Sequence, residues 1–402
     1  MARFHGRLYG RICLEDTHST MDERAVDIES SSILSERNST MHNRNRLKLG
    51  IFGMNLSHGL AATTVPERWD ASWDHNVEAA QIADRAGVEC LVPVGRWRGY
   101  GGESNFEHSS FETIAWACGL LAHTRRITVF GTVHVPLIHP VLAAKQCVTA
   151  DHIGHGRFGL NIVCGWNQAE FNMFGYQQNA HDRRYAHGQE WLDIITRIWS
   201  GEGPFDYDGE FFKLSGVTGA PSPWGGRRPL IMNAGSSPAG RRFAARNSEL
   251  IFDQTFFVEQ APPRIAEIKR IGRECGHEVK VFTSGYVVCR PSRKEADDYL
   301  RYFAIENADN EAVDRLIKLA VGSTDSFQPE VIEAARIRFA AGYGGPGFVG
   351  DPDGVALELK KMAGLGFDGI ALGMVNFVDE LPYFCQEVIP RLEALGLREP
   401  AD

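Results

Sequence analysis

No apolar run in the 402-residue chain reaches about 18 residues, so no membrane-spanning helix is expected. The eight cysteines (Cys13, Cys90, Cys118, Cys147, Cys164, Cys275, Cys289 and Cys385) include no C-x-x-C pair. Most lie in apolar runs, where a free thiol behaves as a small hydrophobe. With no export signal in view, they read as reduced thiols in a cytoplasm. Positive charge is in short supply: 42 Lys and Arg stand against 51 Asp and Glu, for a net charge of −9. That balance argues against nucleic acid or an anionic membrane as a partner. Catalytic signatures are missing too. There is no G-x-S-x-G elbow, no H-x-H and no acid pair of the kind glycosidases use. Side chains alone therefore suggest neither covalent nor acid–base chemistry, which favours a cofactor carrying the hard step.

What is present is periodic. Short apolar strands alternate with amphipathic helices from residue 47 onward. Strands are expected at 47–55, 88–95, 127–135, 157–163, 229–234, 250–255, 279–289 and 368–375. Helices are expected between them, with 182–199 the longest. Near-continuous apolar strands separated by helices imply a parallel sheet covered on its outer face. Eight such units favour an α/β fold of the (β/α)8 TIM-barrel type over an open sheet. Residues 1–46 are polar and mixed in charge, and are expected to lie outside the fold as a disordered arm. The barrel domain is expected to span 47–397. The segment 304–350 shows no clear strand and ends in the Gly-rich AGYGGPGFVG, so it reads as a lid-like insertion before the last strand.

Gly364-Leu-Gly366-Phe-Asp-Gly369 matches G-x-G-x-x-G but follows a helix and precedes a strand. A dinucleotide site needs the reverse order, so this is a helix stop and a turn. By contrast, Ile231–Gly240 runs strand, Ala234-Gly235 turn, Ser236, Ser237 as a helix N-cap and Pro238 at the first helical position. The free amides and serine hydroxyls there suit a phosphate. Arg183, Arg184 and Tyr185 open the long helix, where cations oppose the dipole unless an anion joins them. His134 and His139 bracket one strand end, and His152 and His155 follow the next helix, which raises a metal-dependent hydrolase as a competing reading. The second pair precedes its strand, on the face of a barrel that serves stability, and no metal is assigned.

Several ordered segments resemble the bacterial luciferase-like, two-component flavin monooxygenases. They are Arg98-Gly-Tyr-Gly-Gly102 with Phe106 and His108, Gly156-Arg-Phe-Gly159, Asn161-Ile-Val-Cys-Gly-Trp166 and Glu170-Phe171. Arg184-Tyr185, Asp208-Gly-Glu-Phe-Phe212, Ala234-Gly-Ser-Ser237 and Ala239-Gly240 complete the set. Within that family the look is nearest to the pyrimidine ring-opening members. The resemblance implies a TIM barrel, reduced FMN delivered by a separate NAD(P)H-dependent flavin reductase, and molecular oxygen (O2). It implies a small organic substrate, such as a nitrogen heterocycle, a sulfone or sulfonate, or a chlorinated aromatic, oxidised through a flavin peroxide. It also implies a homo-oligomer, dimer or tetramer.

Carried over by motif, Asn161 and Thr132 would be catalytic, placing oxygen beside the flavin. Gly95 and Arg96 would run their backbone against the ring system, and Glu170 would bond its polar portion. Arg184 and Tyr185, with Ser236 and Ser237, would hold the ribityl phosphate. Trp97 and His134 would shape the substrate pocket, and Cys164 stands where the pyrimidine members carry a small hydroxyl residue. Trp166 reads as a packing wedge. Rival readings are an F420-dependent oxidoreductase of the same fold, a non-catalytic flavin-binding barrel and the metal hydrolase.

Overall fold

The computed structural model describes residues 39–165, 167–177, 181–321 and 329–400. Trp166 and residues 1–38 of the expected arm lie outside them. In chain order the strands are β1 (Lys48–Phe52), β2 (Cys90–Val92), β3 (Thr128–His134) and β4 (Phe158–Val163). They continue with β5 (Phe205–Asp208), β6 (Lys213–Val217), β7 (Leu230–Asn233) and β8 (Leu250–Phe252). The last three are β9 (Lys280–Cys289), β10 (Gly347–Gly350) and β11 (Gly369–Gly373). Parallel pairing runs β1-β2-β3-β4-β7-β8-β9-β11 and returns to β1, which closes an eight-stranded barrel. Strands β5 and β6 form a separate antiparallel hairpin. Helices lie between the barrel strands, as a (β/α)8 barrel requires.

Alternation along each strand separates two cores. Leu49, Ile51, Val129, Val133, Leu160 and Ile162 face outward into the layer of helices. Cys90, Val92, Phe130, Met232, Phe252, Phe282 and Ala371 fill the interior. Large rings fit there because their neighbours are glycines. A Cβ on Gly159 would lie 2.3 Å from Phe130, and one on Gly369 would lie 2.3 Å from Phe282. The same alternation carries β3 upward as Thr128, Phe130, Thr132 and His134, so the last two reach the mouth formed by the strands' C-terminal ends.

The expected arm boundary is corrected by eight residues. Residues 39–46 pack under the barrel, where Met41 joins the interior core and Lys48 Nζ donates to the Asn43 carbonyl at 3.0 Å. Burial pulls the Lys48 amine down to about 8. A three-residue helix in a polar stretch has no periodicity by which a sequence could show it. The 304–350 segment is corrected too: it holds β10, which pairs with the upper half of β9. Helices Asn310–Val321 and Pro329–Gly342 precede that strand, and residues 322–328 lie outside the described residues. The G-x-G-x-x-G match is a helix end and turn, with helix Pro352–Gly364 stopping before Gly366 at φ +101°.

Candidate active site

At the mouth, β3 and β4 stand in a register that sets Thr132 opposite Asn161. Asn161 Nδ2 donates to Thr132 Oγ1 at 3.1 Å, and Thr132 Oγ1 donates to the Pro93 carbonyl at 2.7 Å. Asn161 Oδ1 is buried and has no hydrogen-bond partner among the described residues. A buried carboxamide oxygen without a partner costs about 1–3 kcal/mol, so this position is built for something that donates to it.

Beside this pair lies a cavity of about 480 Å³. Its floor is Gly95, Thr132 and His134, and its apolar walls are Trp97, Phe111, Leu137 and Ile138. Gly95 is needed for the close approach, since a Cβ there would lie 2.6 Å from His134 Cε1. Trp97 is 38% exposed at the rim and meets Phe174 edge-on at 4.9 Å between ring centroids. His134 is buried and edge-on to Phe171. Burial pulls its imidazole down to about 4, with Glu170 and Arg96 the charged groups acting on it.

Behind the cavity, the expected residues Arg96 and Glu170 join a buried cluster with Glu107 and Tyr343, which were not foreseen. Arg96 Nε donates to Glu107 at 2.8 Å, Nη1 to Glu170 at 3.1 Å and Nη2 to the Tyr343 hydroxyl at 3.0 Å. Tyr343 in turn donates to Glu107, and the guanidinium lies over the Tyr100 ring. Glu170 Oε1 also accepts from the backbone N–H of Trp97 at 2.9 Å and of Arg98 at 3.3 Å. Glu170 thus holds the loop that carries Trp97. Burial pushes the Glu107 carboxyl up, while Arg96 pulls it back. Glu107 also has a left-handed backbone, φ +57°, an uncommon conformation for a non-glycine residue. The signal available in the sequence was its place between Phe106 and His108 of the quoted motif.

The remaining expected residues lie on the segments that follow β4 and β7. Gly165, at φ +112°, turns the chain, and its carbonyl accepts from Arg184 Nη1 at 3.2 Å. Tyr185 Oη lies 3.4 Å from Ser237 Oγ. Ser237 caps helix Pro238–Asn247 by accepting from the Gly240 N–H at 3.0 Å. Ser236 is exposed, and Arg241, another residue not foreseen, donates to its carbonyl. Turn, helix head and Tyr185 are packed with no room for a side chain between them. A Cβ on Gly235 would lie 2.8 Å from the Gly240 backbone, and one on Gly240 would lie 2.3 Å from Tyr185 Oη. Cys164 packs against Gly188, and burial pushes its thiol up to about 12, so it is a packing group and not a nucleophile. Arg183 pairs outward with Glu210.

The histidines do not converge. His139 caps helix Pro140–Ile153, and His152 and His155 pack on Trp224. Among the described residues no three His, Cys, Asp or Glu side chains form a metal-binding group.

Two buried imidazoles give the fold an acid limit. Burial also pulls His58 down to about 4, with Arg68 adding to the effect and Asp309 opposing it. Both rings stay neutral in the fold where an unfolded chain would protonate them near 6.5. As pH falls from 6.5 to 4 the unfolded state takes up protons that the folded state refuses, so stability falls through that window. The loss from His134 is on the order of 3 kcal/mol by pH 4. In His134→Gln the slope of unfolding free energy against pH should be smaller by one proton over this range. A slope equal to that of the parent would remove His134 from the account.

The fold and mouth define a (β/α)8 barrel with a buried amide and hydroxyl at the C-terminal ends of its strands and a serine-capped helix head after β7. The chain belongs to the luciferase-like monooxygenase family, whose model matches residues 49–369. It is therefore an enzyme, a monooxygenase. An FMNH2-dependent dimethylsulfone monooxygenase from Pseudomonas fluorescens is 30% identical over 356 residues, covering 87% of this chain and 95% of its own length. A pyrimidine monooxygenase, RutA, from a Bradyrhizobium species is 27% identical over 366 residues, covering 88% and 99%. The crystal structure of DmoA from Hyphomicrobium sulfonivorans superposes with a TM-score of 0.77 at 22% identity, covering 88% of this chain and 89% of that one. At that identity it shows the shared fold. No helix among the described residues is long and apolar enough to cross a membrane.

Proposed function

We propose that the chain is the oxygenase of a two-component system. It takes reduced FMN from a separate NAD(P)H-dependent flavin reductase, takes O2 as co-substrate, and inserts one oxygen atom into a small organic molecule. The candidates are a nitrogen heterocycle, a sulfone or sulfonate, or a chlorinated aromatic. Seven described cysteines, all unpaired, suit a reducing cytoplasm. The observation that carries the reading is the buried oxygen of Asn161, unpartnered among the described residues, beside Thr132 at the mouth of a barrel of this family. The dimethylsulfone relative is named for its dependence on FMNH2.

The residues fit the cofactor. Ser237, Ser236 and the first amides of helix Pro238–Asn247 would hold the phosphate, helped by Arg184 and Tyr185. Gly95 and the Arg96 backbone would lie along the ring system, and Glu170 fixes the loop beyond them. When bound, reduced FMN supplies the two electrons that divide O2 between the product and water. The chain's own part is to present an uncharged amide and hydroxyl where oxygen reacts, and to keep that place dry. Asn161 can bond polar atoms there without adding a charge, and neutral His134 adds none at pH 7.

The test is anaerobic titration of the purified protein with FMNH2 and, in parallel, with reduced F420, followed by O2 and candidate substrates. Tight binding of FMNH2 over F420, and product formed in step with O2 uptake, are expected. Binding without turnover would leave only a flavin-binding barrel. In Ser237→Ala the Kd for FMNH2 should rise about tenfold, and the lost cap should cost the fold about 1 kcal/mol. An unchanged Kd would take the phosphate away from this helix.

A further inference from the structure

Several polar groups deep in the 480 Å³ cavity are matched to one another among the described residues. Thr113 Oγ1 donates to the Thr132 carbonyl at 2.6 Å and accepts from the Thr132 N–H at 3.1 Å. Thr132 Oγ1 is engaged by Pro93 and Asn161. Ser110 Oγ donates to the Arg96 carbonyl at 2.9 Å. His134, only 4% exposed, has a ring contact with Phe171 and, among the described residues, no hydrogen bond to either nitrogen. A buried imidazole with both nitrogens idle, on the floor of a cavity, is placed to bond whatever enters.

The charges around the cavity point the same way. Its lining carries two full charges, Arg96 and Glu112. The three guanidinium nitrogens of Arg96 are turned to Glu107, Glu170 and Tyr343. Glu112 lies at the rim, where its carboxylate accepts the N–H groups of Ile114 and Ala115 at the head of helix Thr113–His123. Among the described lining residues the one guanidinium is already engaged, and three carboxylates lie nearby. Desolvating an anion without a partner is costly, so the lining rejects anions more strongly than it selects any one shape.

We infer that the cavity takes an uncharged small molecule bearing a hydrogen-bonding oxygen, such as a sulfone, lactam or amide, and that His134 is the residue that bonds this oxygen. The inference rests on the proposed function and narrows it by removing sulfonates and carboxylates from the substrate range. A neutral ring offers one N–H to such an oxygen, and His134 stays neutral well below pH 7.

The experiment is titration calorimetry under argon on protein loaded with reduced FMN. The probes are matched pairs differing in charge: dimethyl sulfone with methanesulfonate, uracil with orotate, and benzamide with benzoate. Loading is measured first, and failure to load is a failure of the proposed function, read before any probe is added. In the loaded protein at least one neutral member should bind, and at least tenfold more tightly than its anionic partner. His134→Phe should weaken that neutral probe roughly tenfold, the value of one buried hydrogen bond, and should leave the Kd for reduced FMN within twofold. His134→Gln, which keeps a donor, should recover most of the affinity. An anionic probe binding as tightly as its partner, no binding of any probe, or loss of FMN affinity in step with probe affinity overturns the inference.

Discussion

Replacing Arg96 by methionine is expected to destabilise the barrel by about 3–5 kcal/mol, the cost of leaving a buried ion partner unpaired. The side chain is almost fully buried, and so are Glu107 and Glu170. Methionine fills much of the same volume but leaves two carboxylates facing each other away from water. It also removes the donors that fix Glu170, which holds the N–H groups of Trp97 and Arg98. Lysine should be little better, because one ammonium cannot reach Glu107, Glu170 and Tyr343 in the geometry of the fork. The check is the urea midpoint of the purified variants. Adding Glu107→Gln and Glu170→Gln to Arg96→Met should restore part of the loss, since the uncompensated charges are then gone. An Arg96→Met protein as stable as its parent would show that the cluster is not a closed ionic unit.

Asn161→Leu is expected to lower product formation by about 10²–10³-fold, the scale seen when a preorganised polar group is removed from a reaction site, while leaving the fold nearly intact. The structural cost is small because Thr132 keeps its bond to the Pro93 carbonyl and the orphaned oxygen disappears with the amide. The measurement is product formed per O2 consumed, with hydrogen peroxide assayed alongside. Under the proposed function the variant should still oxidise FMNH2, but most of the oxygen should appear as peroxide. Normal coupling in Asn161→Leu would remove the amide from the chemistry. Its loss together with FMNH2 affinity would make Asn161 a cofactor anchor instead.

The two variants differ in how far their sites could be read beforehand. Asn161 interrupts an apolar strand, and the alternation of β4 by itself puts it on the inner face with Gly159. The Ser237 cap was likewise local: a strand, a glycine, a serine and a proline in the order a helix head needs. Arg96 was different. Its partners lie 11, 74 and 247 residues away along the chain, and no spacing rule connects them. Strand β10 escaped for another reason: four residues bounded by glycines carry too little pattern, and it exists because the upper half of β9 offers an unpaired edge. Met41 escaped because its burial depends on the open lower end of a barrel that closes only when β11 meets β1.

Hydrophobic periodicity, caps and turn residues act over a few residues, so they are written in the chain: eight strands, the intervening helices, an inward amide and a serine-capped helix head. Barrel closure brings together groups that are remote in the chain, and only that juxtaposition decides whether a charge is paired and a polar atom satisfied. The tertiary structure alone therefore decided that Arg96 faces inward to two carboxylates, that Cys164 is a buried packing group, and that His134 lies neutral on the cavity floor. Desolvation is the physical reason, because it depends on what surrounds an atom in space and not on its neighbours along the chain.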